Sequence, residues 1–232
     1  MPDSGYDAIA EEYYEPGHCT SRNFDAATIA LLSRLQIDVP EGTVLEVGAG
    51  RGRISEFLNV HPSRVVQLDK SETMLQLHPR EQSLLRIHAD ACQIPLVAQQ
   101  FRAVVGFLVD PFMGLDFLAE AYRMLSTGGL LLLTVPTRIW GKPLREQLGI
   151  DVMTTRFKVL GTEKIIILPS LLHSSEQLHQ MLSFSSFTDV KIYDGCLSDD
   201  EQSISPDVIA AADALQSSPR GLPIIHLVTA HR

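Results

Sequence analysis

Cysteine is scarce in this chain. Cys19, Cys92 and Cys196 are the only three among 232 residues, and none forms a CxxC pair. Scattered thiols of this kind exclude a disulfide frame and a thiolate zinc site. The eight histidines show no HExxH or similar ligand spacing, so no bound metal is expected. Long apolar runs are missing too. The stretch 130–135 is a buried strand's length, far short of the ~20 residues of a membrane span. Residues 1–5 lack the basic and apolar regions of a signal peptide, and the cytoplasm is the expected location. Basic charge is also short: 19 Lys and Arg face 28 Asp and Glu, a formal net charge of −9. A duplex-binding surface needs a basic patch, so the acidity speaks against nucleic acid as a partner. Repeats, linkers and low-complexity tracts are absent from the sequence. What remains is a chain with 45% hydrophobic residues, enough for one domain with a full core.

The chain is organised around residues 43–54, TVLEVGAGRGRI. A run of β-formers feeds directly into three alternate glycines, Gly48, Gly50 and Gly52, and a helical pattern follows. Glycine suits such a turn because the backbone wants positive φ and a ligand must approach it closely. The following helix is expected to aim its unpaired N–H groups at an anionic group over the turn. A dinucleotide fingerprint G-x-G-x-x-G needs its third glycine at position 53, but Arg53 stands there. Asp69 ends the second strand, 64–68, nineteen positions beyond Gly50 (69 − 50). A carboxylate there can accept hydrogen bonds from two vicinal ribose hydroxyls, or it can cap the helix expected at 71–77.

The pattern E-x-G-x-G-x-G (Glu46, Gly48, Gly50, Gly52) resembles the first motif of class I S-adenosylmethionine-dependent methyltransferases of the small-molecule type. Three further segments are similar to motifs of that family, in order and at sensible spacing. They are D-x-S-x-x-M-L from Asp69 to Leu75, D-A-x-x-L-P from Asp90 to Pro95 with Ile94 at the Leu place, and R-x-L-x-x-G-G from Arg123 to Gly129. The resemblance implies an α/β fold: a Rossmann-like seven-stranded, mostly parallel sheet with helices on both faces and the last strand antiparallel. It implies S-adenosyl-L-methionine as cofactor, lying across the carboxyl ends of strands one to four. In that reading Glu46, Gly48, Ala49, Gly50 and Gly52 form the turn, and Asp69 with Lys70 holds the ribose side. Met74, Asp90, Ala91 and Phe107 surround the adenine, with Tyr13 in a lid. A Y-D-x-x-A-x-x-Y segment like residues 6–13 often lids the donor pocket in the family, and an aromatic face attracts a sulfonium cation. Arg102 departs from the family, which usually carries Asp there.

Elsewhere the residues speak for themselves. Residues 6–14 read as a short helix, 23–35 as a longer one after a polar connector, and 84–88 and 101–108 as the third and fourth strands. Asp110-Pro111-Phe112 reads as a helix start, with Asp110 the cap and Pro111 the first position. It is also a one-proline echo of the D/N-P-P-aromatic motif of nucleic-acid amino-group methyltransferases. Residues 115–125 form an amphipathic helix that Gly128 should end in a left-handed turn, before a strand at 130–135. A hairpin is expected at 156–160 and 163–168, as an acceptor-side insertion or as a sheet extension or dimer edge. Ser174 and Gln177 form a capping box for the next helix. Two strands, at 187–193 and 223–230, flank an alanine-rich helix at 206–215.

One domain, 1–232, is expected: a helical lid at 1–42, a cofactor half at 43–136 and an acceptor half at 137–232. Methyl transfer needs a general base only for an acceptor protonated at neutral pH. His18, Asp110 and His173 are the candidates, by position along the chain. The apolar hairpin hints at a partly apolar small molecule. A monomer or homodimer suits this reading, and a nucleobase methyltransferase or a non-catalytic cofactor-binding regulator are the alternatives.

Overall fold

The computed structural model describes residues 5–77, 83 and 85–232. Residues 1–4, and Leu84, the expected start of the third strand, lie outside them. Among the described residues, seven strands form one sheet in the order β3-β2-β1-β4-β5-β9-β8. These are β1 (Val44–Val47), β2 (Val65–Asp69), β3 (Leu85–His88), β4 (Phe101–Gly106), β5 (Leu125–Pro136), β8 (Thr188–Gly195) and β9 (Ile225–His231). Pairing is parallel from β3 through β5, and β9 runs antiparallel to both neighbours. This is the mostly parallel sheet with an antiparallel last strand that the resemblance implied.

Central strands are apolar on both faces because helices cover both. Leu45, Val47, Val104, Leu131 and Leu133 point into one core layer, with α4 (Leu115–Met124) and α6 (Ser175–Phe184). Val44, Ala103, Val105, Leu130 and Leu132 point into the other. That second layer is covered by α1 (Cys19–Leu35), α2 (Ile54–Leu58), α5 (Arg138–Leu148) and α7 (Pro206–Ala214). Outside that sheet, β6 (Thr154–Lys158) and β7 (Ile165–Pro169) pair as a separate antiparallel hairpin. The capping box opens α6 as expected, Ser174 Oγ accepting from Gln177 N and Gln177 Oε1 accepting from Ser174 N.

Several boundaries differ, each for a traceable reason. Residues 6–14 are not a helix but a 3-10 turn (Asp7–Ile9) followed by further turns, because the Ala10 and Glu11 carbonyls accept from Arg51. Helix α1 starts four residues early, at Cys19, where its polar first turns meet the α7 approach. Thr20 donates to Asp207 and Asn23 brackets Ser203 and Ser205. Gly128 does not end α4. That helix stops at Met124 and the chain passes straight into β5, with Gly128 (φ 70°) donating its N–H to the Arg232 carbonyl. Helix α5 was not anticipated at all.

Candidate functional site

The turn after β1 holds Gly48, Gly50 and Gly52 at φ 59°, 53° and 82°. A Cβ on Gly50 would stand 2.2 Å from the Tyr14 hydroxyl, so a side chain there would displace that ring and strain a φ of 53°. The turn does not offer free amides, as the expected helix-end site would require. Gly50 N donates to Asp69, Arg51 N to the Tyr14 hydroxyl, Gly52 N to the Ala49 carbonyl, and Arg53 N and Ile54 N to Glu46. Glu46 is buried with both oxygens engaged, its second accepting from Gln67 at 2.8 Å. Burial raises its pKa against those bonds. Glu46 therefore fixes the turn and caps the five-residue α2; what the turn presents to a ligand is bare glycine backbone.

A cavity of about 650 Å³ opens at the carboxyl ends of β1, β2 and β4, within the range of small-molecule sites. Of the cofactor residues expected from the sequence, Tyr13, Glu46, Gly48, Ala49, Gly50, Asp69, Lys70, Met74, Asp90, Ala91 and Phe107 all line it; Gly52 does not. Asp69 Oδ2 accepts from Gly50 N and Oδ1 from Ser71 N, both at 2.7 Å. Each oxygen keeps a lone pair for a further donor. The cap of α3 (Glu72–Gln76) is Ser71, which leaves Asp69 free of that duty. Burial raises the Asp69 pKa, opposed by the backbone amides of Ser71, Gly50 and Lys70. Asp90 is partly buried, but Lys70 Nζ at 2.8 Å and the Cys92 amide hold its pKa below the usual carboxylate range.

Residues 5–14 border this cavity, with Gly5, Tyr6, Tyr13 and Tyr14 lining it. Asp7 accepts from Ser71 Oγ at 2.7 Å and Thr73 N at 3.2 Å, while Arg51 Nη2 donates to the Ala10 and Glu11 carbonyls at 2.9 and 2.8 Å. Tyr13 stacks on Phe157 of the hairpin, ring centroids 5.9 Å apart. Ile9, Phe157 and Leu168 form a small separate core there, packed by Tyr6, Tyr13 and Ile166. Arg51→Ala is expected to speed dissociation of S-adenosylhomocysteine about tenfold, the scale of one charge-assisted bond at ~1.5 kcal/mol, since the bond to the Glu11 carbonyl is exposed and contributes little. Stopped-flow displacement measures this; an unchanged off-rate would show that this segment does not retain ligand.

The three candidate bases all stand off the cavity wall. His18 packs against Phe157, 4.3 Å between ring centroids, and burial lowers its pKa. His173 Nε2 donates to the Met113 carbonyl at 2.9 Å. Asp110 is not a helix cap: α4 begins at Leu115 after Gly114. Its carboxyl is buried at 7% exposure and engages Ser170 and Arg145, while Pro111 and Phe112 reach the cavity. Burial, opposed by Ser170 and Arg145, pushes the Asp110 pKa up to about 7. A raised carboxylate pKa contributes stability that is full below the ordinary 3.8 and is lost as pH rises through about 7. Wild type should thus lose stability relative to Asp110→Asn between those two values, as urea unfolding at a series of pH values would show.

Sequence reading missed Tyr14, Asp25 and Arg53 as wall residues. Arg53 Nη2 meets Asp25 Oδ2 at 2.6 Å, with its guanidinium 4.8 Å from the Tyr14 ring centroid. Burial lifts the Asp25 pKa to about 6 against that ion pair. The available signal was Arg53 itself, standing where a dinucleotide fingerprint has glycine.

A Rossmann-like sheet with its cavity at the strands' carboxyl ends is the architecture of the doubly wound α/β proteins. Within it, residues 45–133 match the family described as "Methyltransferase domain". A probable S-adenosylmethionine-dependent methyltransferase of Mycolicibacterium smegmatis is 30% identical over 106 residues, 44% of this chain and 41% of that protein. The malonyl-[acyl-carrier protein] O-methyltransferase of Enterobacter lignolyticus is 31% identical over 134 residues, 56% of this chain and 51% of that one. The chain thus spans about half the length of the curated relatives it matches. A crystal structure of an S-adenosylmethionine-dependent methyltransferase from Thermotoga maritima superposes with a TM-score of 0.64 at 16% identity, covering 98% of both chains. The matched segment is thus similar to S-adenosylmethionine-dependent methyltransferases, whose cofactor is S-adenosylmethionine. The residues present fit that group: bare glycines, two carboxylate oxygens with spare lone pairs, and a lining of four carboxylates (Asp25, Glu46, Asp69, Asp90) against two cations (Arg53, Lys70).

Proposed function

We propose that this chain transfers the methyl group of S-adenosylmethionine to a small-molecule acceptor by in-line displacement. The cofactor, when bound, supplies a methyl group already activated by positive charge. Asp69 accepts from the ribose hydroxyls, while Met74, Asp90, Ala91 and Phe107 surround the adenine. The observation that carries the reading is one chamber, roofed by residues 5–14 and the hairpin, that joins these groups to a wall of uncharged side chains. A covered chamber admits a small acceptor and excludes water, and aligning the two reactants supplies several orders of magnitude in rate.

His18, Asp110 and His173 serve the lid and the walls rather than proton transfer, and alignment alone drives the step. The Asp110-Pro111-Phe112 segment gives little support to a nucleobase acceptor, because the carboxyl is committed to Ser170 and Arg145. We place the lid in 1–42, the cofactor half in 43–136 and the acceptor half in 137–232, acting as one unit in the cytoplasm. The test is calorimetry with S-adenosylhomocysteine, followed by transfer of labelled methyl into a metabolite pool and, separately, an RNA pool. Heat with that compound and label in the metabolite pool are expected. Label in RNA alone, or no heat with intact protein, overturns the reading.

A further inference from the structure

The charges around the cavity are all spoken for. Arg53 is held by Asp25 at 2.6 Å and Glu56 at 3.1 Å, and Lys70 by Asp90 at 2.8 Å. Glu46 accepts three hydrogen bonds and Asp69 two, while Asp25 and Asp90 are the partners of the two cations. Among the described residues that line the cavity, no side chain therefore offers an acceptor an unengaged counter-charge of either sign. Beyond the cofactor residues, the lining includes the uncharged Tyr6, Pro111, Phe112, Ile167 and Pro169.

The hairpin decides how that wall continues outward. Strand alternation puts Phe157 and Leu168 under the lid, in the small separate core. It puts Ile167 and Pro169 on the other face, towards the cavity, where Ile167 is 55% exposed and sits at the rim beside exposed Ile165. Apolar surface thus runs from the chamber to solvent along one strand.

We propose that the methyl acceptor is an uncharged, largely apolar molecule, selected by this wall and by Ile167 in particular, and that charged acceptors are rejected. The proposal rests on the methyltransferase reading and narrows its substrate class. An acceptor anion entering the chamber loses its hydration and meets no free cation, and four lining carboxylates oppose it. A cationic acceptor likewise loses its hydration and meets only carboxylates already engaged. An uncharged ring or chain loses nothing of this kind and gains by covering the exposed apolar strand.

Three naphthalenes of one shape and different charge test this: 2-naphthol, 2-naphthoate and 2-naphthylmethylammonium, titrated calorimetrically into protein saturated with S-adenosylhomocysteine. Binding of 2-naphthol at least about tenfold tighter than either ion is expected. In Ile167→Lys, naphthoate should become at least as tight as naphthol, with S-adenosylhomocysteine affinity serving as the check on folding. Either ion binding wild type as tightly as naphthol overturns the proposal, and so does the absence of naphthol binding. Failure of the lysine to move the ratio removes Ile167 from it. Loss of S-adenosylhomocysteine binding in wild type would instead strike the methyltransferase reading beneath.

Discussion

Asp69→Ala is expected to weaken binding of S-adenosylhomocysteine by about 100-fold or more, with hydrogen bonds to a charged group at ~1.5–3 kcal/mol each. Two losses combine. The carboxylate no longer accepts from the ribose, and the Gly50 and Ser71 amides it holds at 2.7 Å are released. The glycine turn and the start of α3 then lose their common anchor. Asp69→Asn separates the effects, since an amide keeps one acceptor oxygen but sets an N–H group against a donor. It should bind with intermediate affinity. Calorimetry measures both variants, with thermal unfolding to confirm the fold. An alanine variant within threefold of wild type would remove Asp69 from the cofactor site.

The second large effect is on stability. Arg145, 2% exposed, reaches from α5 to donate to the Val152 carbonyl and to the carbonyl and hydroxyl of Ser170, beside Asp110. Arg145→Leu strands two carbonyls and leaves a buried carboxylate uncompensated, a loss of about 3–5 kcal/mol for a broken buried pair. The cost should be full at pH 8, where Asp110 is ionised, and smaller at pH 5, below its pKa of about 7. Urea unfolding at both values measures it. Adding Asp110→Asn should recover part of the loss at pH 8 and little at pH 5. An equal cost at both pH values would show that the carboxylate is not the partner that matters.

How much of this was legible in the sequence depended on how local the cause was. The glycine turn, Asp69, Ser174 with Gln177 and the apolar central strands were readable, because turn chemistry, capping and burial on both faces leave signatures within a few residues. Asp110 misled because Asp followed by Pro is a sound capping signal. Its actual partners, Arg145 and Ser170, lie far along the chain and leave no local trace. Helix α5 was hidden by its own composition, with Gly141 and Pro143 inside it, both poor helix formers. Tertiary packing of Trp140 and Leu144 against the sheet outweighs that. Residues 6–14 carry a helical period but lend two carbonyls to Arg51, a contact no periodicity can foretell.

The small core that joins Ile9 to Phe157 and Leu168 has an evolutionary corollary. It makes residues 5–14 and a hairpin some 150 positions later co-dependent. A descendant of this scaffold could not trade one of these pieces for a foreign one without unseating the other. New specificities should therefore arise by paired exchange of both segments, while the glycine turn and its sheet stay as they are.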